Sequence, residues 1–247
     1  HNMLVMSERV TDHLPKSKKY TPKQRLWYIR AKEVVISSGS IERPLVFGNN
    51  DTPGVLLSSA AKEYMKIYGV LVGKKPIVFT NNDSAYETAI EFKKNGIDPI
   101  IIDSRKDANS ELIKEAKSLN IDIKFSHVVV NARGYKKVKS ADIADISEDK
   151  LQLSNVRNIE CDCICVSGFW TPTIHLASQS GGKTQFNKDI DAFIPSNSKQ
   201  NETTVGAANG VFNLNETLNK SFEVGYNLSK KITQKDNKLS VPSVVEK

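Results

Sequence analysis

The sequence predicts an α/β fold with a parallel sheet, and three features support this prediction. Two apolar runs, Pro76–Phe79 and Pro99–Ile102, are typical of buried strands. Each run is followed by a segment with apolar residues at helical spacing, Ser84–Lys94 and Ser110–Leu119. The connections between these segments are short. Strands and helices that alternate at this period favour parallel strands joined by right-handed crossovers.

The chain before this unit predicts two strand regions and a helix. Residues 2–14 and 25–39 are rich in residues that favour strands, and a basic, proline-containing loop separates them. Residues 52–70 carry apolar side chains at helical spacing, and Gly69 is expected to end that helix.

The chain after this unit follows a different pattern. Residues 123–167 predict a meander of strands and turns, and a looped stretch with Pro172 and Pro195 follows. A turn flanked by glycines then opens a predicted helix over residues 206–232. The last residues are polar and contain proline, so they predict a linker.

Composition narrows the class of protein. The 247 residues are 39% hydrophobic and 26% charged, which is ordinary for a globular chain of one large or two modest domains. No apolar run approaches the roughly 18 residues of a membrane helix, so we expect no membrane partner. The net charge of +7 comes from lysines spread among 28 acidic residues without an RNA-binding signature, so we expect no nucleic-acid partner.

The cysteines and histidines predict neither a metal site nor a catalytic set. Cys161, Cys163 and Cys165 alternate along a predicted strand, where we expect all three on one face as small buried side chains. Zinc sites usually use C-x₂-C spacing, which these residues lack. Three clustered cysteines make no disulfide framework, which favours a reducing, cytoplasmic setting. The histidines have no ligand spacing, although His175 is a candidate for lining a site in the looped stretch.

The turn after the strand Pro76–Phe79 lies where a dinucleotide-binding unit carries its glycine fingerprint. The three glycine positions are taken by Thr80, Asn82 and Ala85. Asn82 tolerates a left-handed backbone, but side chains at these positions obstruct the approach of a pyrophosphate. Asp103 lies about 20 residues further on, where such sites place an acid on the ribose. This turn is either a dinucleotide site, which would include Asn81, or a structural remnant that has lost its ligand. We favour the structural remnant.

A near match to a phosphate-binding loop occurs at residues 177–184, ASQSGGKT. A true loop of this kind follows a strand directly and opens a helix at its lysine. Here Pro172 separates the segment from the preceding strand, and the residues after Thr184 are stopped by Pro195. We therefore expect no nucleotide triphosphatase site.

Two further glycine turns bracket the α/β unit. An apolar strand runs into Gly39, and the turn Gly206–Asn209 opens a predicted helix that includes Leu214. Free amides at a helix start can bind a pyrophosphate. Each turn by itself is more often a plain turn. Together, however, the two turns enclose the strand–helix series of residues 76–119, which favours a role for both.

Four stretches, taken in order, resemble the alpha subunit of heterotetrameric sarcosine oxidase. They are VVISSGSIERPLVFGNNDTPGV, VFTNNDSAYETA, VSGFWTPTIHLASQSGGK and VGAANGVFNL. The resemblance runs from about Asn2 to Gly225, and it implies a pyridine nucleotide–disulfide reductase-like α/β fold. In that fold a Rossmann-type nucleotide domain is inserted into a partial FAD/NAD-binding domain.

The resemblance also implies a domain organisation. Residues 1–60 and 156–225 would form the incomplete outer nucleotide domain, 72–155 the degenerate inserted domain, and 226–247 a linker tail. The glycine fingerprint of the outer domain would precede His1, and a folate-binding domain would follow Lys247. The chain is therefore expected to be a middle segment that is inactive by itself.

The family implies the following cofactors and partners. The alpha subunit holds NAD, FAD belongs to the beta subunit, FMN lies between them, and tetrahydrofolate is bound by a further domain of alpha. Partners are the beta, gamma and delta subunits, and the reaction is oxidative demethylation of sarcosine to glycine. A subunit of a related opine or proline dehydrogenase, or a noncatalytic docking module, stays open as an alternative.

The resemblance places NAD in the alpha subunit as a whole, and we infer that the outer domain holds it, because the inserted domain lacks the glycines of a dinucleotide site. The expected contacts are Gly39, Gly206, Ala207, Ala208, Asn209 and Leu214. Residues Thr80, Asn81, Asn82 and Asp103 are secondary candidates in the inserted domain. No catalytic residue and no metal ligand is predicted in this chain.

Overall fold

The computed structural model describes residues 2–149 and 152–234. Its strands are β1 Met3–Arg9, β2 Gln24–Arg30, β3 Val34–Ile36, β4 Ser40–Glu42, β5 Val55–Leu57, β6 Pro76–Thr80, β7 Ile100–Asp103, β8 Asp122–Phe125, β9 His127–Arg133, β10 Ser140–Ile146, β11 Leu153–Glu160, β12 Cys163–Ser167, β13 Trp170–Pro172, β14 Thr184–Asn187, β15 Ala192–Pro195 and β16 Glu202–Thr204. Its helices are α1 Ser58–Tyr68, α2 Tyr86–Lys94, α3 Glu111–Ser118, α4 His175–Gln179 and α5 Leu214–Thr233, with a 3₁₀ turn at Gly206–Asn209.

The chain divides into two compact units. We call Glu42–Trp170 the inserted unit, and His1–Ile41 together with Thr171–Lys247 the outer unit. The predicted boundaries of the inserted domain, 72 and 155, lie inside this range. The difference arises because β5 and β12 both join the sheet of the inserted unit, and β5 leads directly into α1.

A five-stranded parallel sheet in the order β5-β12-β6-β7-β8 forms the centre of the inserted unit. Its middle strands β6 and β12 are buried along their whole length, as expected for parallel strands covered on both faces. The predicted strand–helix series over residues 76–119 is confirmed, with end shifts of one or two residues.

Each face of this sheet packs on a different layer. Helices α1, α2 and α3 cover one face through a core that includes Ala61, Tyr86, Phe92 and Ile113. The antiparallel sheet β11-β10-β9 covers the other face through residues such as Ile143. The inserted unit is therefore a three-layer α/β/β arrangement.

The predicted meander is confirmed for β9–β11 but is wrong at both of its ends. Strands β8 and β12 pair in parallel with β7 and β6 rather than with the meander. All five residues of β12 are buried, which a strand on a half-exposed meander would not show.

The outer unit contains smaller elements. Strands β1 and β2 form an antiparallel hairpin, β14 and β15 form another, and β3 pairs in parallel with β16. Helix α5 extends to Thr233, so residues 226–233 are helical where a linker is predicted. The rest of that predicted linker, 235–247, lies outside the described residues.

Within the described parts of the chain, no helix is both long enough and apolar enough to cross a membrane.

Candidate functional site

Two glycine turns follow neighbouring parallel strands in the outer unit. Strands β3 and β16 pair with Ile36 opposite Thr204, and the Val205 amide donates to the Ile36 carbonyl at 2.9 Å. Parallel strands end at the same edge of a sheet, so the turns at Gly39 and Gly206 leave from one edge. Open α/β sheets bind ligands at this carboxyl edge. The structure thus places two separately predicted site segments side by side.

The Gly206 turn has a backbone that disfavours a side chain. Gly206 is buried with φ +66°, and an added Cβ would lie 3.3 Å from Cγ2 of Thr217. Gly210, with φ +76°, ends the 3₁₀ turn and donates its amide to the Ala207 carbonyl at 3.1 Å. Ala208 is buried, whereas Ala207 and Asn209 are half-buried. A ligand at this edge would meet Ala207 and Asn209, the two partly exposed residues of the turn.

The helix that follows this turn begins later than predicted. Helix α5 starts at Leu214, after Asn213, whose side chain accepts from the Glu216 amide at 2.9 Å. The prediction that Gly206–Asn209 opens the helix is therefore wrong. The reason is the short 3₁₀ turn, which ends at a left-handed Gly210. Leu214 lies at the first helical position and is half-exposed.

At position 39, the backbone conformation by itself favours glycine, and close packing plays no part. Its φ is +72°, and an added Cβ would meet no atom within 4 Å. The Gly39 carbonyl accepts from the Thr173 amide at 2.9 Å, and the Ser38 hydroxyl donates to the Thr173 carbonyl at 2.8 Å. The turn is therefore anchored, while the space beside its α-carbon stays open.

The glycine-free turn of the inserted unit is tied together by its own side chains. The Thr80 hydroxyl accepts from the Asn82 amide and donates to the Asn82 carbonyl, both at 3.0 Å. The Asn82 side-chain oxygen accepts from the Ser84 amide at 3.1 Å, and its nitrogen donates to the Ser167 carbonyl at 3.1 Å. Asn81 joins this cluster by accepting from Asn82 at 3.2 Å. The backbone amides of Asn82 and Ser84 are thus satisfied by side chains of the same turn.

Trp170 closes the same turn from a distant part of the sequence. Its indole nitrogen donates to the Ser84 hydroxyl at 3.0 Å. Residue 170 follows β12, the strand that neighbours β6, and this pairing brings it to the turn. Sequence reasoning did not single out Trp170 or Ser167, because no local signal links them to residues 80–84.

The carboxylate of Asp103 is fully buried and bound on several sides. It accepts from the Tyr86 hydroxyl at 2.8 Å and from the Arg105 amide at 3.0 Å. The Arg105 guanidinium binds it through Nε and Nη2 and reaches Asp83 through Nη1 at 2.7 Å. The acid predicted to bind a ribose is therefore engaged inside the protein. A nucleotide-binding role for Thr80, Asn81, Asn82 and Asp103 stays a prediction.

The electrostatics of this cluster follow from its burial. Burial, and then the Asp103 carboxylate, raise the pKa of the Tyr86 hydroxyl, so that it stays a hydrogen-bond donor. Burial by itself lowers the pKa of Arg105, but its bonds to Asp103 and Asp83 outweigh this effect and raise the pKa. Arg105 therefore remains a cation at ordinary pH values, with the side chains of Asp103 and Asp83 on either side of it.

The segment 177–184, which nearly matches a phosphate-binding loop in sequence, has the wrong order of secondary-structure elements. Helix α4 precedes Gly181 and Gly182, and strand β14 follows them, whereas a phosphate-binding loop runs from strand to helix. A Cβ added to Gly182 would lie 2.6 Å from the Ala177 carbonyl, so this glycine serves close packing. His175, an exposed residue, is the first residue of α4.

The prediction that the three cysteines share one face of a strand is wrong. Cys163 and Cys165 pack in the core beneath the helices with their sulfurs 3.5 Å apart, whereas Cys161 packs in the core beneath the meander. The reason is that Cys161 lies before β12 begins. Burial raises the pKa of the Cys161 thiol to about 12. The described residues hold no group of three or more histidine, cysteine or acidic side chains placed to bind a metal.

Comparison with solved structures shows the fold. Thioredoxin reductase of T. acidophilum is similar with a TM-score of 0.60 and 16% identity, over 77% of this chain and 62% of that one. The flavoprotein disulfide reductase RclA of Escherichia coli has a TM-score of 0.60 and 12% identity, over 84% of this chain and 46% of that one. The predicted pyridine nucleotide–disulfide reductase-like α/β fold is thereby confirmed.

Comparison with curated proteins shows the family, although no protein-family model matches the chain. Sarcosine oxidase subunit alpha of Corynebacterium sp. (strain P-1) is 34% identical over 227 residues, 91% of this chain. The corresponding subunit of Rhizobium meliloti (strain 1021) is 33% identical over 84% of the chain. The chain spans only 23% and 20% of the length of these two relatives. Over nearly all of its length, the chain therefore belongs to the family of sarcosine oxidase alpha subunits, as a segment of it.

Proposed function

We propose that the chain is the nucleotide-domain segment of a sarcosine oxidase alpha subunit and contributes NAD binding to an oxidoreductase. The observation that carries this proposal is the pair of left-handed glycine turns, at Gly39 and Gly206, after the adjacent parallel strands β3 and β16. Relatives named sarcosine oxidase subunit alpha match this segment, and the two solved structures of similar fold are reductases.

The outer unit fits a dinucleotide better than the inserted unit does. At the outer edge, an open space lies beside Gly39, and Ala207 and Asn209 of the Gly206 turn are partly exposed. Backbone amides at a turn or helix start bind a pyrophosphate well. The residues that would hold NAD are Gly39, Gly206, Ala207, Ala208 and Asn209, with Leu214 beside them. When bound, NAD would supply a nicotinamide ring that accepts or donates hydride.

The inserted unit supports the proposal by its internal bonding. Its turn uses Thr80 and Asn82 where glycines would be needed, and Arg105 binds the carboxylates of Asp103 and Asp83. A dinucleotide would have to displace a buried ion pair, which costs several kcal/mol. The inserted unit thus keeps the nucleotide-domain fold as a structural element.

The activity of the whole complex is part of the same proposal. The complex would oxidise sarcosine to glycine by demethylation, with FAD and FMN as flavins and tetrahydrofolate bound by a part of alpha beyond this segment. Its partners would be the beta, gamma and delta subunits. The amine-oxidising groups are not assigned to this chain.

Calorimetric titration of the 247-residue chain with NAD tests the proposed site. Gly39→Val should abolish binding, because the new side chain fills the open space beside the turn. Gly96→Val is the matched control, since Gly96 also has a left-handed φ of +76° and no neighbour within 4 Å. Asp103→Asn should leave binding unchanged. Binding lost in Asp103→Asn but kept in Gly39→Val would contradict the proposal, as would a cooperatively folded chain that binds no NAD.

A further inference from the structure

A histidine, a carboxylate and a guanidinium meet at one end of the sheet β11-β10-β9. His127 is the first residue of β9, Asp145 lies directly opposite it on β10, and Arg157 lies on β11. Nε2 of His127 is 2.8 Å from Oδ1 of Asp145 and 2.5 Å from Nη2 of Arg157. Its other ring nitrogen, Nδ1, lies 2.6 Å from the Phe125 carbonyl. Nε2 thus faces an acceptor and a donor at the same time.

The protonation of His127 decides which of these two partners Nε2 can bind. The Phe125 carbonyl is an acceptor, so Nδ1 carries a proton whether the ring is neutral or charged. In the neutral ring Nε2 is then an acceptor, and it takes a hydrogen bond from Arg157. In the imidazolium Nε2 is a donor, so it binds Asp145 and no longer accepts from Arg157. Each protonation state therefore has its own hydrogen bond.

The Asp145 carboxylate lacks a donor on the side that faces the histidine. Its Oδ2 accepts from the Asn155 side chain at 2.7 Å. In the part of the chain that the structure describes, Oδ1 is a buried atom that forms no hydrogen bond. Nη2 of Arg157 lies 3.7 Å from it, which is too far for one. A buried oxygen without a partner is unfavourable, so Oδ1 is a ready acceptor for a proton on Nε2 of His127.

Within this group, His127 is the side chain that changes charge near neutral pH. The Asn155 hydrogen bond, with the charges of His127 and Arg157, outweighs burial and holds the pKa of Asp145 below 3.8. Asp145 is therefore an anion throughout the range in which histidines gain and lose a proton, about pH 5 to 8. The His127 side chain is 16% exposed, so solvent can supply that proton.

Other charged groups on the neighbouring segments form ion pairs of their own. These pairs are Lys124 with Asp122 on β8, Lys106 with Glu148 beyond the ends of β7 and β10, Arg105 with Asp103 and Asp83, and Arg133 with Asp142 further along β9 and β10. Asp145 and Arg157 are thus the charges that act on His127 directly.

The backbone beside His127 and Asp145 is irregular. Ser126 has φ +55° and Asn155 has φ +51°, both in the left-handed region that favours glycine. The pairing of β10 with β11 also shifts register between Ile143 and Asp145. Bulges and strained residues of this kind are typical of functional sites and switch regions.

We propose that His127 is a pH switch: when its ring gains a proton, Nε2 leaves Arg157 and binds Asp145. The Arg157 side chain, which is 53% exposed, is then released to solvent as a free cation. The change reaches the end of the parallel sheet, because the Ser126 amide donates to the Arg105 carbonyl at 2.8 Å. This inference does not depend on the NAD site.

Nitrogen NMR of the histidine and arginine side chains of the 247-residue chain tests the switch. At about pH 8 the neutral His127 ring should carry its proton on Nδ1, and at about pH 5 both ring nitrogens should be protonated. The Nε–H signal of Arg157 should change with the same midpoint. The exposed His175 is an internal control, whose titration no arginine signal should follow. A neutral His127 ring protonated on Nε2, or an Arg157 signal that ignores the His127 titration, would overturn the proposal.

Two variants should move the midpoint of the His127 signals in opposite directions. Asp145→Asn removes the anion and should lower the midpoint by about one pH unit, whereas Arg157→Gln removes the cation and should raise it by a similar amount. Arg133→Gln is the matched control, since Arg133 binds Asp142 on the same two strands, and it should leave the midpoint unchanged. Shifts in the same direction in Asp145→Asn and Arg157→Gln, or an equal shift in the control, would refute the switch.

Discussion

Arg105 holds the buried carboxylate of Asp103 with two side-chain nitrogens. Nε lies 3.0 Å from Oδ1, and Nη2 lies 2.7 Å from Oδ2. The Asp103 side chain has no exposed surface, whereas the Arg105 side chain is 25% exposed. The guanidinium therefore neutralises a charge that water cannot reach, at the strand end where a dinucleotide domain would hold its ribose.

Loss of this guanidinium should destabilise the inserted unit strongly. Arg105→Ala leaves the Asp103 carboxylate buried without its cation, and breaking such a pair costs about 3–5 kcal/mol. Lys106→Ala is the matched control, because its ion pair with Glu148 is exposed on both sides. That change should cost less than about 1 kcal/mol. Urea unfolding followed by circular dichroism measures both, and equal losses in the two variants would contradict this account.

Two glycine-to-alanine substitutions, Gly206→Ala and Gly225→Ala, should have opposite effects on the stability of the chain. Gly206→Ala places a Cβ on a left-handed backbone, 3.3 Å from Thr217, and should cost about 1–3 kcal/mol. Gly225→Ala lies on exposed α5 with no neighbour within 4 Å and should stabilise the chain by about 0.5–1 kcal/mol. Thermal unfolding of both variants compares them directly. A Gly206→Ala chain as stable as wild type would show that the turn relaxes without strain.

Acid should weaken the meander through Asp142. Burial by itself raises the pKa of this carboxyl, but its bonds to Asn158, Arg133 and Asn131 outweigh burial and hold the pKa below the ordinary 3.8. The carboxyl therefore contributes stability above pH 3.8, and this contribution is lost as the pH falls through the lowered pKa.

The variant Asp142→Asn checks the sign of this effect. It should be less stable than wild type at pH 7, and the difference should shrink as the pH falls below 3.8. Urea midpoints of both proteins at pH 7 and at pH 3 provide the comparison. A difference that grows in acid would contradict a lowered pKa for Asp142.

The sequence by itself determined the elements whose signals are local. Periodicity placed the β6–α2–β7–α3 series, and Gly69 marked the end of α1. Gly39 and Gly206 marked two turns, and in the structure both glycines have positive φ. These features depend on spacing within about ten residues and on the conformational freedom of glycine, so neighbouring residues suffice to predict them.

Tertiary structure decided which strands share a sheet and which polar groups meet. Strand β12 joins β6 from more than 80 residues away, and this pairing brings Ser167 and Trp170 onto the Asn82 turn. It also decided that Asp103 binds Arg105 and Tyr86 inside the protein. Such contacts depend on burial and on distant partners, and no pattern within a short stretch of sequence encodes them.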